Sequence, residues 1–177
     1  CCSTCTVHHV TTTAGTFVYQ LVSVSDANGC SQSVSVSDVT IVVNTLPTAT
    51  ISGTTTVCKN VSSNITFTGA TGSPNYIFTY NINGGSNQTI ATTGGSSTVV
   101  LSVANTSAGT FAYNLVSVTD ANGCSQAQSG TATISVNTLP TATISGTTTV
   151  CRNSTSPNIT FTGSTGTANY IFTYNIN

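Results

Sequence analysis

The sequence repeats itself at long range. AGTFVYQLVSVSDANGCSQ begins at Ala14 and returns as AGTFAYNLVSVTDANGCSQ at Ala108, an offset of 94. NTLPTATISGTTTVCKN begins at Asn44 and returns as NTLPTATISGTTTVCRN at Asn137, an offset of 93. NYIFTYNIN from Asn75 returns from Asn169, at 94 again. One residue is lost and one regained between these blocks, which assigns both changes to loops. A period of about 93 is too long for a solenoid, whose units run to roughly 20–50 residues. It is the size of one β-sandwich domain. The chain therefore reads as a string of near-identical domains.

The phase of the repeat sets the boundaries. Asn-Thr-Leu-Pro at 44–47 and again at 137–140 reads as the joint, because proline stops a strand ladder and stiffens a linker. Residues 46–137 then form one complete domain. Residues 1–45 are the C-terminal half of the domain before it, and residues 139–177 the N-terminal half of the domain after it. Half a sandwich leaves an apolar face open, so neither end is expected to be stable alone. With no initiator methionine and no signal-peptide pattern, the chain reads as a mature piece or a window from a longer array. Half-domains that complete each other between molecules are the alternative.

Within 46–137, apolar residues alternate with a period of two rather than 3.6. Strands are expected at 48–52 (Ala49 and Ile51 inward), 64–69 (Ile65, Phe67), 76–83 (Tyr76, Phe78, Tyr80, Ile82), 98–103 (Val99, Leu101, Val103), 110–119 (Phe111, Tyr113, Leu115) and 131–137 (Ala132, Ile134, Val136). Asn83-Gly84-Gly85, Gly94-Gly95 and Asp120-Ala-Asn-Gly123 supply turn signals between them. The fold class is all-β: tandem antiparallel β-sandwich domains of the immunoglobulin-like kind, each of six or seven short strands in two facing sheets.

Charge narrows the function. Charged residues are 3% of the chain, against roughly 25% in an ordinary soluble domain. Two cations cannot neutralise many phosphates, so nucleic acid is not an expected partner. No apolar run reaches the roughly 20 residues of a spanning helix, so no membrane insertion is expected. Residues 46–137 contain no histidine, so no Ser–His–Asp set can be assembled there, and the chain is not expected to be an enzyme or to carry a cofactor. Thr and Ser supply about a third of the chain and solvate the strand faces without charge. A near-neutral surface gives little electrostatic protection against self-association. That suits a surface fibre better than a cytosolic protein.

Candidate sites each have a plain structural reading beside the functional one. Of seven cysteines, Cys30, Cys58, Cys124 and Cys151 obey the repeat, one following TTTV and one following DANG in each copy. Cys58 and Cys124 form a disulfide, remain as two inert thiols, or bridge to adjacent domains. Cys2, Cys5, His8 and His9 offer zinc-type ligands. The 94-residue offset instead lays residues 1–9 on the 95–103 strand, with Cys5, Val7 and His9 at inward places. Asp120-Ala-Asn122-Gly123 and its copy at Asp26 resemble part of a calcium loop but offer one carboxylate each, and they also suit a tight hairpin. Asn60, Asn64, Asn87, Asn105, Asn153 and Asn158 lie in N-x-[ST] triplets, glycan acceptors only in a host that modifies them. Lys59 is replaced by Arg152 in the next copy, which argues against a lysine–asparagine crosslink in every unit.

TTTVCKN, NITFTG, AGTFAYNLVSVTDANGC and GTATISVN, strung on a Leu-Pro joint, resemble the immunoglobulin-like or PKD-like repeats of large Bacteroidota surface proteins. Those include gliding-motility-associated adhesins exported by the type IX secretion system. The resemblance covers the chain except its first ten or so residues, where the Cys/His cluster departs from it. It implies an extracellular, cell-surface location, a rod that carries or constitutes an adhesin, and a disulfide between Cys58 and Cys124. Expected partners are neighbouring copies of the repeat, with surface glycans as a further class. The alternative function is a carbohydrate- or protein-binding module of a secreted protein, with Ser, Thr, Asn and Tyr on its loops.

Overall fold

The structure is a computed structural model, and it describes residues 3–177. Fifteen strands follow one another among them, with no helix long and apolar enough to cross a membrane. The first four are β1 (Gly15–Tyr19), β2 (Ser23–Ser25), β3 (Ser31–Ser33) and β4 (Val39–Val43). The repeat spanning 46–137 holds β5 (Thr48–Ser52), β6 (Thr55–Cys58), β7 (Ser63–Ala70), β8 (Ile77–Ile82), β9 (Gln88–Ala91), β10 (Thr98–Val103), β11 (Gly109–Thr119), β12 (Ser125–Ala127) and β13 (Thr131–Asn137). Only β14 (Thr141–Ser145) and β15 (Thr160–Ser164) follow.

The middle unit is an immunoglobulin-like sandwich. One sheet runs β10-β7-β5; the other runs β6-β13-β11-β8-β9, with β12 paired to the far end of β11. The expected strands are all present within a residue or so of their ends. Three further strands raise the count from the expected six or seven to nine. β6, β9 and β12 are three or four residues each, too short for alternation to announce them. The antiparallel plan holds with one exception among the described residues. β6 pairs in parallel with β13, Cys58 opposite Asn137, while every other pairing is antiparallel.

Period-two alternation buries one side of each strand. Ile65 and Phe67 from one sheet meet Phe78, Tyr80, Tyr113, Leu115, Ile134 and Val136 from the other. The ring of Phe67 lies 5.6 Å from that of Phe78 and 5.1 Å from that of Tyr80, offset contacts that add to their burial. Immunoglobulin domains of antibodies place an inter-sheet disulfide in the centre of such a core; here aromatic packing fills it. On β11 the inward face jumps from Leu115 to Val118, because a bulge shifts its register against β8 between Leu115 and Ser117. Burial pushes the phenols of Tyr80 and Tyr113 above the ordinary tyrosine range; for Tyr113 the neighbouring Tyr80 charge adds a smaller push.

The flanking segments retain only fragments of this plan. β1 pairs with β4, β2 with β3, and β14 with β15. Residues 3–14 form no strand, contrary to the expectation drawn from the 94-residue overlay. The reason is pairing: in the middle unit the corresponding β10 is held by β7, and no equivalent of β7 accompanies residues 3–45. Cys5 and Val7 are exposed rather than inward, and His9 alone is half-buried. Val118, fully buried in the middle unit, corresponds to Val24, which is 58% exposed. Tyr80, 4% exposed, corresponds to Tyr174 at 64%. Both ends thus present open apolar faces.

Candidate functional site at the joints between repeats

The joint is built from the backbone of the linker and the turn that follows β7. Thr71 donates its hydroxyl to the carbonyl of Leu46 at 2.7 Å, and the Gly72 N–H donates to Thr45 Oγ1 at 3.1 Å. Pro47 is fully buried there. The next joint repeats the clasp: Thr165 donates to Leu139 O at 2.6 Å and Gly166 N–H to Thr138 Oγ1 at 3.1 Å. A linker held by the unit it enters is not a free hinge.

Asp120 closes the same pole of the sandwich. Its Oδ1 accepts the N–H groups of Asn122 at 3.0 Å and Cys124 at 2.9 Å, the pattern of an Asx turn. Its Oδ2 accepts Ser73 N–H at 3.0 Å, and Asn122 Nδ2 donates to Ser73 Oγ at 2.7 Å. Gly72, with φ at +63°, leaves room for this: a Cβ there would stand 2.6 Å from Asp120 Oδ2. The carboxylate is thus occupied by peptide N–H groups as a hairpin pin. Among the described residues no three potential metal-ligating side chains come together. The Asp26 copy makes the same two bonds to Asn28 and Cys30 N–H, at 3.0 and 2.9 Å, and is exposed.

The cysteines fall at opposite poles. Cys58 ends β6, level with Asn137 at the pole where the chain leaves the unit; Lys59 N–H donates to Asn137 O at 2.8 Å. Val136 pairs with Gly109 at the start of β11, whereas Cys124 lies just beyond its far end. The eleven residues of β11 separate the two poles, about 36 Å at 3.3 Å per residue. A disulfide needs Cα atoms within roughly 7 Å. The expected Cys58–Cys124 disulfide within the unit is therefore overturned. Both are free thiols, as are Cys5, Cys30 and Cys151.

The remaining candidates are scattered or newly constrained. Cys2 lies outside the described residues. Cys5 and His8 are exposed. His9 packs 4.1 Å from the ring of Phe17 and hydrogen-bonds through Nδ1 to the Tyr19 hydroxyl. It thereby takes the place of Val103, which packs on the core beside Phe111. Of the N-x-[ST] asparagines, Asn60, Asn64, Asn87, Asn153 and Asn158 are exposed. Asn105 is not an acceptor in the folded unit: it is 5% exposed, and its Nδ2 donates to Val61 O at 2.7 Å and Ser63 Oγ at 2.8 Å. The clasp residues Thr45, Thr71, Gly72 and Ser73 escaped sequence reasoning. Their recurrence as Thr138, Thr165, Gly166 and Thr167 was visible, but in a repeat this exact almost everything recurs.

A cleft of about 470 Å³ opens between the middle unit and residues 139–177. Cys58 and Asn137 line it from one side, Gly166, Thr167, Tyr170 and Phe172 from the other.

No known protein family matches the chain, and no curated protein matches it. Among solved structures it is similar to the CARDB domain of a Pyrococcus furiosus protein crystallised with di-metal ions. Identity is 20%, the match covers 53% of this chain and 96% of that one, and the TM-score is 0.31. No residue or ligand is carried across at that level of likeness.

Proposed function

We propose that the chain is a structural repeat segment of an extracellular adhesin or surface filament, acting as a stiff stalk. One observation carries this reading. A complete sandwich is flanked by a C-terminal half-repeat and an N-terminal half-repeat, joined through linkers clasped by the unit that follows them. A head-to-tail series of such units extends along one axis, each adding a rod about as long as β11, or ~36 Å at ~3.3 Å per residue.

The chemistry of the surface agrees with a scaffold role. The formal net charge is −1, and the outward strand positions are mainly Thr, Ser, Asn and Gln. In the middle unit Tyr76, Phe78, Tyr80 and Tyr113 are buried and Phe111 is half-buried. The middle unit thus exposes no aromatic platform for a sugar ring, which favours a stalk over a carbohydrate-binding module. Negative-stain electron microscopy of the isolated chain tests the reading. Elongated particles or fibres are expected; compact globules at all concentrations would refute it.

A further inference from the structure

Where the chain enters and leaves the middle unit decides how that unit carries a pull. It enters at the pole where Thr71 holds Leu46 O, and it leaves at the opposite pole, beyond Asn137. β5 and β6 run from the first pole to the second as one track, residues 48–58, interrupted only at Gly53 and Thr54. β5 belongs to one sheet and β6 to the other. The crossing is made at Gly53, whose φ is +116° and where a Cβ would run into the backbone of Asn64. Such a backbone suits glycine alone. Gly146 makes the same turn against Asn158, at φ +120°.

The track is gripped along its length. β5 pairs with β7, from Thr48 opposite Ala70 to Ser52 opposite Thr66. β6 pairs with β13, from Thr55 opposite Ile134 to Cys58 opposite Asn137. Two further bonds close the β6–β13 ladder at its ends. Thr133 N–H donates to Thr54 Oγ1 at 3.1 Å, and Lys59 N–H donates to Asn137 O at 2.8 Å. Val57 packs on the core and Val136 is buried in it, so apolar side chains cover the inner side of this ladder.

Tension between the two linkers acts along the strands. It draws β5 and β6 toward the entry pole and β13 toward the exit pole. Because β6 and β13 are parallel, the two pulls slide one strand along the other. Ladder hydrogen bonds run across the strands, so in this geometry all of them are loaded together. A hairpin pulled by its two open ends breaks them one at a time. The covalent path from β6 to β13 runs through β7 to β12 and takes the full load only when the ladder parts. At the next joint Thr165 holds Leu139 O, so a pull leaving Asn137 meets the same clasp again.

We propose that the middle unit is a load-bearing element, and that β6 sheared against β13, with β5 sheared against β7, is the clamp that resists tension along the array. This role rests on the stalk reading, and it makes the stalk a tether between two ends that are pulled apart.

The test stretches the full chain, reduced and tagged at both termini, in optical tweezers at constant load. The middle unit is expected to open in one step, with a contour gain of roughly 290 Å for residues 46–137 at ~3.5 Å per residue less the folded length. Forced unfolding is governed by the unfolding barrier. Three variants are compared, each with its stability measured in urea. Thr54→Val removes the acceptor for Thr133 N–H. Lys59→Pro removes the donor to Asn137 O. Lys59 is the second residue of a turn closed by Val61 N–H on Cys58 O, and Asn60 follows with φ at +68°, a turn in which proline fits at that place. Gly84→Ala strains the turn between β8 and β9, which lies off the track.

The ladder bonds are broken at the barrier under load, so each ladder variant is expected to open faster by the whole factor its lost stability implies, about fivefold for a hydrogen bond of ordinary net strength. The turn at Gly84 is still formed there, so Gly84→Ala is expected to lose stability in urea yet open under load within about a factor of two of the wild type. A matching acceleration in Gly84→Ala, or none in the ladder variants, overturns the clamp and leaves the stalk, which electron microscopy judges separately. Compact globules in the microscope overturn the stalk. If Lys59→Pro lacks the wild-type circular dichroism spectrum, Thr54→Val carries the comparison.

Discussion

At the scale of single residues, the joint depends on one glycine and one carboxylate. Gly72 combines a left-handed backbone with a Cβ position 2.6 Å from Asp120 Oδ2. Gly84 has a similar φ, +73°, but open space around it. Gly72→Ala is therefore expected to destabilise the middle unit by more than about 1 kcal/mol, the ceiling for changes at compatible sites, and by clearly more than Gly84→Ala. Urea unfolding of the two variants measures the difference; equal losses would mean that Asp120 does not lie against Gly72. Tyr80 and Tyr113 make a second residue-scale prediction. Their phenols are held above the ordinary value by burial, so the folded state binds these protons more tightly than the unfolded chain. The stability they contribute is present in full below about pH 10, the usual tyrosine pKa, and is lost as pH rises through their raised values. Tyr80→Phe with Tyr113→Phe should flatten the alkaline loss of stability measured from pH 9 upward.

At the scale of elements, identical peptides take different structures. NYIFTYNIN supplies β8 in the middle unit, yet the same residues from Asn169 form no strand. Propensity is the same in both, so the partner decides. β8 sits between β11 and β9, whereas residues 171–176 have neither beside them. Hydrogen exchange of the dilute, reduced chain should show the amides of Phe78 and Tyr80 protected by orders of magnitude over those of Phe172 and Tyr174, since local opening spans the range from near zero to global stability. Comparable rates would contradict the partner-dependent strand. The same reasoning explains which elements the sequence disclosed. β7, β8, β10, β11 and β13 alternate over six residues or more, and their inward faces could be read directly. β6 and β12 are too brief to alternate, and their existence depends on β13 and β11 lying beside them.

At the scale of the whole molecule, stability is concentrated in one unit. The fully buried large side chains Phe67, Phe78, Ile65, Ile134 and Val118 all lie between residues 46 and 137. Deleting residues 139–177 should move the melting temperature of the middle unit by less than about 4 °C, the shift that 1 kcal/mol produces in a domain of this size. Calorimetry of the shortened and full chains at low concentration decides it, and a larger fall would mean that the half-repeat supports the core.

The repeat, its period near 93 residues, the Leu-Pro joints and the inward face of each long strand were all legible in the amino-acid sequence, because alternation and identity are local properties that need no partner. The poles at which the cysteines lie, the parallel pairing of β6, the burial of Asn105 and the fate of the half-repeats were decided only in three dimensions. Each depends on which distant segment lies alongside, and a peptide carries no mark of whether that segment is there.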